Sequence, residues 1–466
     1  MTCATCLAVL AMSGVLTASQ EAAVPQTERV QTPSFGTVTV YPPLAAPEEV
    51  VLFLSGDGGW NLGVVDMAER LRDAGALVVG IDIRAFLKRL DVPGRCVYPA
   101  GALEELSRAV QLRFKLPAYV RPMLAGYSSG ATLVYAALAA APPETFAGAI
   151  SLGFCPDIEM RQPLCRMRGL AATKRPKEVG YDLSPFAGST VPWMVLQGEA
   201  DQVCSAAATK AFVAGTGSAR LFSLPKVGHG FGVPARWASV FLEAYHAIAN
   251  ARRSLAGPAR ITTPAVADLS LVEVPAAGRP DPTTMAVVLS GDGGWADIDK
   301  GVADALATAG IPVVGWSSLD YYWTPRAPAS AAADLARIIE HFTAAWQKAQ
   351  VLVVGYSFGA DVAPFLVNRL PAALRSRVTT VALLSPSDTA AFAFHLASWL
   401  GGGADPQYPT APEIARLSMP VTCVSAADEP DSVCRAVTAV RLRAVTIGEG
   451  HHFGGEYGRL VDAILR

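Results

Sequence analysis

Two successive α/β domains of one design, each a mostly parallel sheet with helices on both faces, are what this 466-residue chain predicts. Three observations carry that expectation. The hexapeptide SGDGGW stands at 55–60 and again at 290–295, each time at the end of an apolar run. The pentapeptide G-x-S-x-G stands at 126–130 and again at 355–359, also after apolar runs. Between these anchors, short β-branched runs without polar alternation are separated by helical patterns, as in a parallel sheet buried on both faces.

Further matches follow in the same order. FGTVTVYPP at 35–43 corresponds to ADLSLVEVPA at 267–276, and GEADQVC ending at Cys204 corresponds to AADEPDSVC ending at Cys434. VGHGF at 227–231 corresponds to GEGHHF at 448–453. Matches this far apart indicate a duplicated domain and not a solenoid period. The expected organisation is a leader at 1–25, a first domain at 35–250, a linker at 251–266 and a second domain at 267–466. In the second copy the order of elements reads as the strand AVVLS, a helix through DKGVADALATAG, the strand IPVVGW, a long helix over about 329–346 and the strand VLVVG. A helix from about Ala360, the strands VTTVALLS, VTCVS and RAVTI, and a C-terminal helix through EYGRLVDAIL complete it.

Composition bounds the functions this architecture serves. Apolar residues make up 51%, charged residues 17% and the net charge is −2, which calls for no nucleic-acid partner. No apolar run in the body reaches the roughly 18 residues a membrane span needs. The apolar stretch from Leu7 to Thr17, followed by small residues, has the form of a secretory signal, although it lacks the usual basic start. Export suits the six cysteines beyond it, Cys96, Cys155, Cys165, Cys204, Cys423 and Cys434. Cys423 and Cys434 bracket one loop and form a candidate disulfide; Val195 replaces the first of that pair in the first copy, so Cys204 needs another partner or stays free.

G-x-S-x-G at a strand-to-helix junction is the nucleophile elbow of α/β-hydrolases: flanking glycines permit a turn tight enough to lift the serine above the sheet. Ser128 and Ser357 are the candidate nucleophiles. A serine hydroxyl requires a base, and the base an orienting acid, in the chain order Ser, Asp or Glu, His. The first copy supplies Asp201 and His229. The second supplies His451, aligned with His229 through the preceding glycine, with His452 as alternative. Its acid is left among Asp428, Glu429 and Asp431; the shared D-x-V-C pattern selects Asp431, whereas counting from the strand end favours the other two. SGDGGW then acquires a role, since an oxyanion needs two backbone N–H donors, one after the nucleophile and one from the loop after an earlier strand. The expected donors are Asp57 and Ser129 in one copy, and Asp292 and Phe358 in the other. Neither G-x-G-x-x-G nor a P-loop lysine accompanies these glycines, and no metal or cofactor is expected.

The motifs SGDGGWADIDKGVADAL, WSSLDYYWTPRAP, GYSFGADVAPF, SWLGG and GEGHHFGGEYGRLVDAIL resemble the bacterial virulence family VirJ and AcvB over nearly all of 285–466. The duplicated arrangement is similar to the two-domain AcvB form. The resemblance implies a periplasmic serine hydrolase that removes the aminoacyl group, typically lysyl, from aminoacyl-phosphatidylglycerol at the membrane surface. Acids near Ser357 suit a cationic aminoacyl group, and Asp292 and Asp361 are the substrate-recognition candidates. Two stretches are candidates for lipid contact, AAFAFHLASWL at 390–400 and the basic RQPLCRMRGLAATKRPK at 161–177. Ala426 departs from the family's usual glycine at the end of the acid strand, and Pro430 enters the acid loop, which leaves the acid open. A non-catalytic accessory role and a general esterase are the competing function classes.

Overall fold

The computed structural model describes residues 26–254, 263–394 and 407–466, apart from 95, 166, 168, 430 and 431. The expected leader and part of the expected linker lie outside them. The first half begins with the antiparallel hairpin β1 (Glu28–Thr32) and β2 (Gly36–Tyr41), then runs β3 (Glu49–Leu54), α1 (Leu62–Asp73), β4 (Ala76–Ile81), α2 (Ile83–Leu90), α3 (Pro99–Arg113), β5 (Met123–Tyr127), α4 (Ser129–Ala140) and β6 (Gly148–Leu152). A small antiparallel sheet of β7 (Asp157–Ile158), β8 (Ala172–Lys174) and β9 (Tyr181–Leu183) follows. The half closes with β10 (Trp193–Gly198), α5 (Ala206–Ala214), β11 (Ala219–Leu224) and α6 (Ala238–Ser254).

The second half repeats this path from β12 (Leu271–Val274) and β13 (Thr284–Leu289) through α7 (Asp297–Thr308), β14 (Val313–Trp316), α8 (Ser318–Tyr321), α9 (Pro328–Ala345), β15 (Gln350–Tyr356), α10 (Phe358–Asn368) and β16 (Val378–Leu384). It then passes through the short pair β17 (Thr389–Ala390) and β18 (Tyr408–Pro409) to β19 (Val421–Ser425) and β20 (Leu442–Thr446). The large sheets have the orders β1-β2-β4-β3-β5-β6-β10-β11 and β12-β14-β13-β15-β16-β19-β20. All pairs are parallel except those made by β1, β2 and β12 at the leading edges. The fold is α/β in both halves.

The apolar runs become strands because both of their faces are covered. Val50, Leu52 and Leu54 of β3 pack with side chains of α3 and α4, including Leu103, Leu106 and Val134. Val51 and Phe53, between them, face α1 and α6 through Met67, Leu71 and Phe241. In the second half Val287 and Leu289 meet α9 and α10, while Ala286 and Val288 meet α7 and the helix Tyr457–Leu465. Each buried Val, Leu or Phe contributes about 1.5–3 kcal/mol relative to exposure.

In each sheet the chain steps from one strand (β3, β13) to a neighbour on one side (β4, β14) and then crosses to the other side (β5, β15). Loops leaving the carboxyl ends at such a reversal diverge, and ligands of open α/β sheets bind in the crevice between them. SGDGGW leaves β3 and β13 there, and the two G-x-S-x-G turns leave β5 and β15 beside it.

The basic stretch at 161–177 runs into the small sheet. Arg175 pairs with Asp157, Glu178 and Asp182, so its charge is matched by neighbours on the same surface. Of AAFAFHLASWL, Ala390 and Phe392 are buried in the core and the part from 395 to 400 lies outside the described residues.

Candidate active site

The turns after β5 and β15 are set by van der Waals contact. A Cβ on Gly126 would lie 2.3 Å from the carbonyl oxygen of Gly130, and one on Gly130 would lie 2.3 Å from that of Ser55. In the second half a Cβ on Gly355 would lie 2.4 Å from Gly359 O, and one on Gly359 would lie 2.3 Å from Leu289 O. Only glycine fits, so helix and strand close until the residue between them takes a left-handed backbone. Ser128 has φ 56° and Ser357 φ 49°, a conformation that costs a non-glycine residue about 1–3 kcal/mol. The N–H of each serine is anchored to the next strand, at Leu152 O (2.9 Å) and Leu384 O (2.8 Å). Both hydroxyls are thereby presented at the crevice.

His229 Nε2 lies 2.9 Å from Ser128 Oγ, and its Nδ1 lies 2.9 Å from Asp201 Oδ2. In the second half His451 Nε2 lies 2.9 Å from Ser357 Oγ, and its Nδ1 lies 2.9 Å from Glu429 Oε1. His452 instead meets the Tyr356 ring edge-on at 6.2 Å; burial and the neighbouring His451 hold its pKa below the ordinary histidine value. The first constellation is the more enclosed, with the His229 side chain 17% exposed against 47% for His451.

The carboxylate that meets His451 is that of Glu429; Asp431, the residue expected there, lies outside the described residues. Strand register explains the displacement. Leu196 pairs with Leu152 and Val424 with Leu384, which puts Glu429 at the position equivalent to Asp201. Asp201 does two jobs: Oδ2 meets His229 and Oδ1 accepts the N–H groups of Val203 and Cys204. In the second half Ser432 Oγ accepts the Cys434 N–H, leaving the acid to the preceding loop. Asp428 is also on that loop, where it accepts the Gly450 N–H at 2.7 Å.

Both acids stay ionised. Although burial opposes it, hydrogen bonds from His229 and from the N–H groups of Cys204 and Val203 hold Asp201 below the ordinary carboxylate range. Glu429 is held low in the same way, against burial, by His451, the Ala426 N–H and Ser385 Oγ. Gln197, Ser385 and the tyrosines before Ser128 and Ser357 are not among the residues the sequence pointed to. Gln197 donates to Asp201 at 3.1 Å, and Tyr127 and Tyr356 donate to the carbonyls of His229 and His451 at 3.0 and 3.3 Å. The duplicated G-Y-S was the available signal for the tyrosines.

SGDGGW folds back over each elbow. A Cβ on Gly56 would stand 3.0 Å from Ser128 Cβ, so the loop backbone passes directly above Ser128. Gly291 is likewise closed in by the Tyr356 ring at 3.0 Å. The tryptophans pin the loops to the sheet: Trp60 and Trp295 lie where a side chain on Gly80 or Gly315 would go. Ser129 and Phe358 open α4 and α10, so the helix start leaves their N–H groups without an i−4 carbonyl. Asp57 and Asp292 stand in the turns of the two loops, next to Gly56 and Gly291.

Of the two substrate-recognition candidates, Asp292 has its carboxylate already met by Arg108 at 3.1 Å. Asp361 is buried in the first turn of α10, accepts the Ser387 N–H at 2.6 Å, and is pushed by burial up to about 8. Thr132 at the equivalent place donates to the Cys155 carbonyl. Cystines brace both acid loops. Cys423 is bonded to Cys434, Cys155 to Cys204 and Cys96 to Cys165. The Cys204 sulfur, within 4.8 Å of polar atoms of Asp201 and His229, is thus committed to Cys155.

Among the described residues no helix is long and apolar enough to cross a membrane. No curated protein matches the chain by sequence. Solved structures similar to it include Est1E from Butyrivibrio proteoclasticus (14% identity, 48% of this chain and 98% of that one, TM-score 0.33). A dienelactone hydrolase from Anabaena variabilis (18%, 48% and 96%, 0.33) is another. A third is an α/β serine hydrolase without lid from Xanthomonas campestris (21%, 50% and 96%, 0.31). The model of the bacterial virulence protein family VirJ matches residues 48–151 and 283–466, which together make up more than half of the chain. By that match the chain, α/β in both halves, belongs to the VirJ family of bacterial virulence proteins.

Proposed function

We propose that the chain is a serine hydrolase with two Ser–His–acid sites, Ser128–His229–Asp201 and Ser357–His451–Glu429. The observation that carries this reading is the placement of each histidine 2.9 Å from a serine oxygen on one side and 2.9 Å from a carboxylate on the other. In such an array the histidine takes the serine proton as Oγ attacks the ester carbonyl, and the acid stabilises the imidazolium that results. The N–H groups of Ser129 and Asp57, or of Phe358 and Asp292, receive the oxyanion of the tetrahedral intermediate. The histidine then protonates the leaving alcohol, and water releases the acyl group by the same steps.

The substrate is the aminoacyl ester of aminoacyl-phosphatidylglycerol, at the Ser357 site, in the periplasm after removal of the leader. The support is the VirJ family match together with the buried acid Asp361 one helical turn from Ser357, which an arriving ammonium group favours in its ionised form. The test is release of lysine from lysyl-phosphatidylglycerol by purified protein, set beside hydrolysis of an uncharged acyl ester. Lysine release lost in Ser357→Ala supports the reading. Faster turnover of the uncharged ester assigns a general esterase, and no turnover of either with unreactive serines assigns a binding protein.

A further inference from the structure

α3 belongs to the first half, yet two of its side chains reach the SGDGGW loop of the second. Arg108 Nη1 donates to the main-chain carbonyl of Asp292 at 3.0 Å, and Nη2 meets the Asp292 carboxylate at 3.1 Å. Glu104, one turn earlier on α3, holds the same guanidinium at 3.4 Å and lies 3.8 Å from where a Cβ on Gly293 would stand. This contact is part of a continuous seam. Trp323 Nε1 donates to the Leu116 carbonyl at 2.8 Å, the Trp323 and Tyr119 rings meet at 5.4 Å, and Lys300 pairs with Glu144.

The first half shows what the second lacks. Ser55 Oγ accepts the N–H of Ile83, and Ser290 Oγ accepts that of Ser318, so Arg84 and Leu319 hold equivalent places. Arg84, paired with Asp82 at 2.9 Å, lies against Gly59 of its own loop, within the field of Asp57. Leu319 packs on Gly294 and carries no charge. The first loop thus has an arginine from its own half, and the second receives one from the other half.

We propose that Arg108 is a positioning residue for the C-terminal site, fixing the Asp292 residue so that its backbone N–H is aimed at the oxyanion above Ser357. The inference rests on the hydrolase reading of that site. By gripping a carbonyl and a carboxylate of one residue, a planar guanidinium fixes orientation in a way a point charge does not. Its burial disfavours its charge, but Asp292 and Glu104 outweigh this and raise its pKa. The N-terminal half is then a structural part of the C-terminal site, whatever its own serine does.

The test is the rate at which a fluorophosphonate labels Ser357 and Ser128 in the full chain, read separately by peptide mass. Removing an oxyanion donor costs about 100- to 1000-fold, and misaiming one costs less, about 10- to 100-fold. Arg108→Ala is expected to slow Ser357 by that amount while Ser128, in the same molecule, keeps its rate and reports intact folding of its half. Arg108→Lys, which reaches one acceptor at a time, falls between. In turnover the loss appears in kcat, with KM little changed. An unchanged Ser357 rate in Arg108→Ala overturns the proposal alone, as does equal slowing of both serines. No labelling of Ser357 in the wild type overturns the hydrolase reading and the proposal together.

Discussion

Glu429 carries the sharpest residue-scale expectations. In the proposed mechanism its charge orients His451 and stabilises the imidazolium, so Glu429→Gln is expected to lower turnover at Ser357 by about 10⁴-fold, as loss of the equivalent charge does in serine proteases. Asp431→Asn is expected to leave it within about twofold; kcat for the two variants, measured in a Ser128→Ala background, decides between them. Asp299 offers a second residue-scale test. It is buried beneath the second SGDGGW loop, accepts the N–H groups of Gly291 and Ala296 at 3.3 Å each, and is pushed by burial up to about 8. Its folded pKa is raised, so its contribution to stability is complete below the unfolded carboxylate value and is lost as pH rises through about 8. Asp299→Asn is expected to flatten that decline when Tm is followed from about pH 5 to 9; Asp361, also raised to about 8, leaves a residual slope. An unaltered slope in the variant contradicts the burial argument.

At the scale of elements, the duplicated glycines made most of the design legible. Gly126, Gly130, Gly355 and Gly359 are required by backbone contacts under 2.5 Å, and a requirement that strict leaves its mark on sequence. The strands could be read because alternate residues face two apolar layers, which removes polar alternation. The acid of the second site was harder to read because Asp201 both caps the turn before α5 and meets His229, whereas Ser432 and Glu429 divide these tasks. A side chain longer by one methylene, placed by strand register, carries no local pattern. The cystine between Cys423 and Cys434 closes this short loop, 11 residues apart in sequence. In the chain-entropy model a loop of this size is worth about 3 kcal/mol, so Cys423→Ala with Cys434→Ala is expected to lower the unfolding free energy of the second half by about that much. Denaturant unfolding followed through the second half, with Ser128 labelling unaffected, is the check.

For the molecule as a whole, duplication has kept two full constellations and joined them asymmetrically. Position 84 is arginine in one half and its equivalent, 319, is leucine in the other, and Arg108 answers that difference across the seam. No local pattern announces a contact between residues 184 positions apart, which is why the sequence left Asp292 as a free acid for substrate. The first site, the more enclosed of the two, has the same serine–histidine and histidine–acid distances as the second. Two assembled sites are the central claim, and stoichiometric fluorophosphonate labelling of the wild type, Ser128→Ala, Ser357→Ala and the double variant counts them directly. Two labels on the wild type, one on each single variant and none on the double variant are expected. A wild type that takes no label, or a double variant that still takes one, contradicts it.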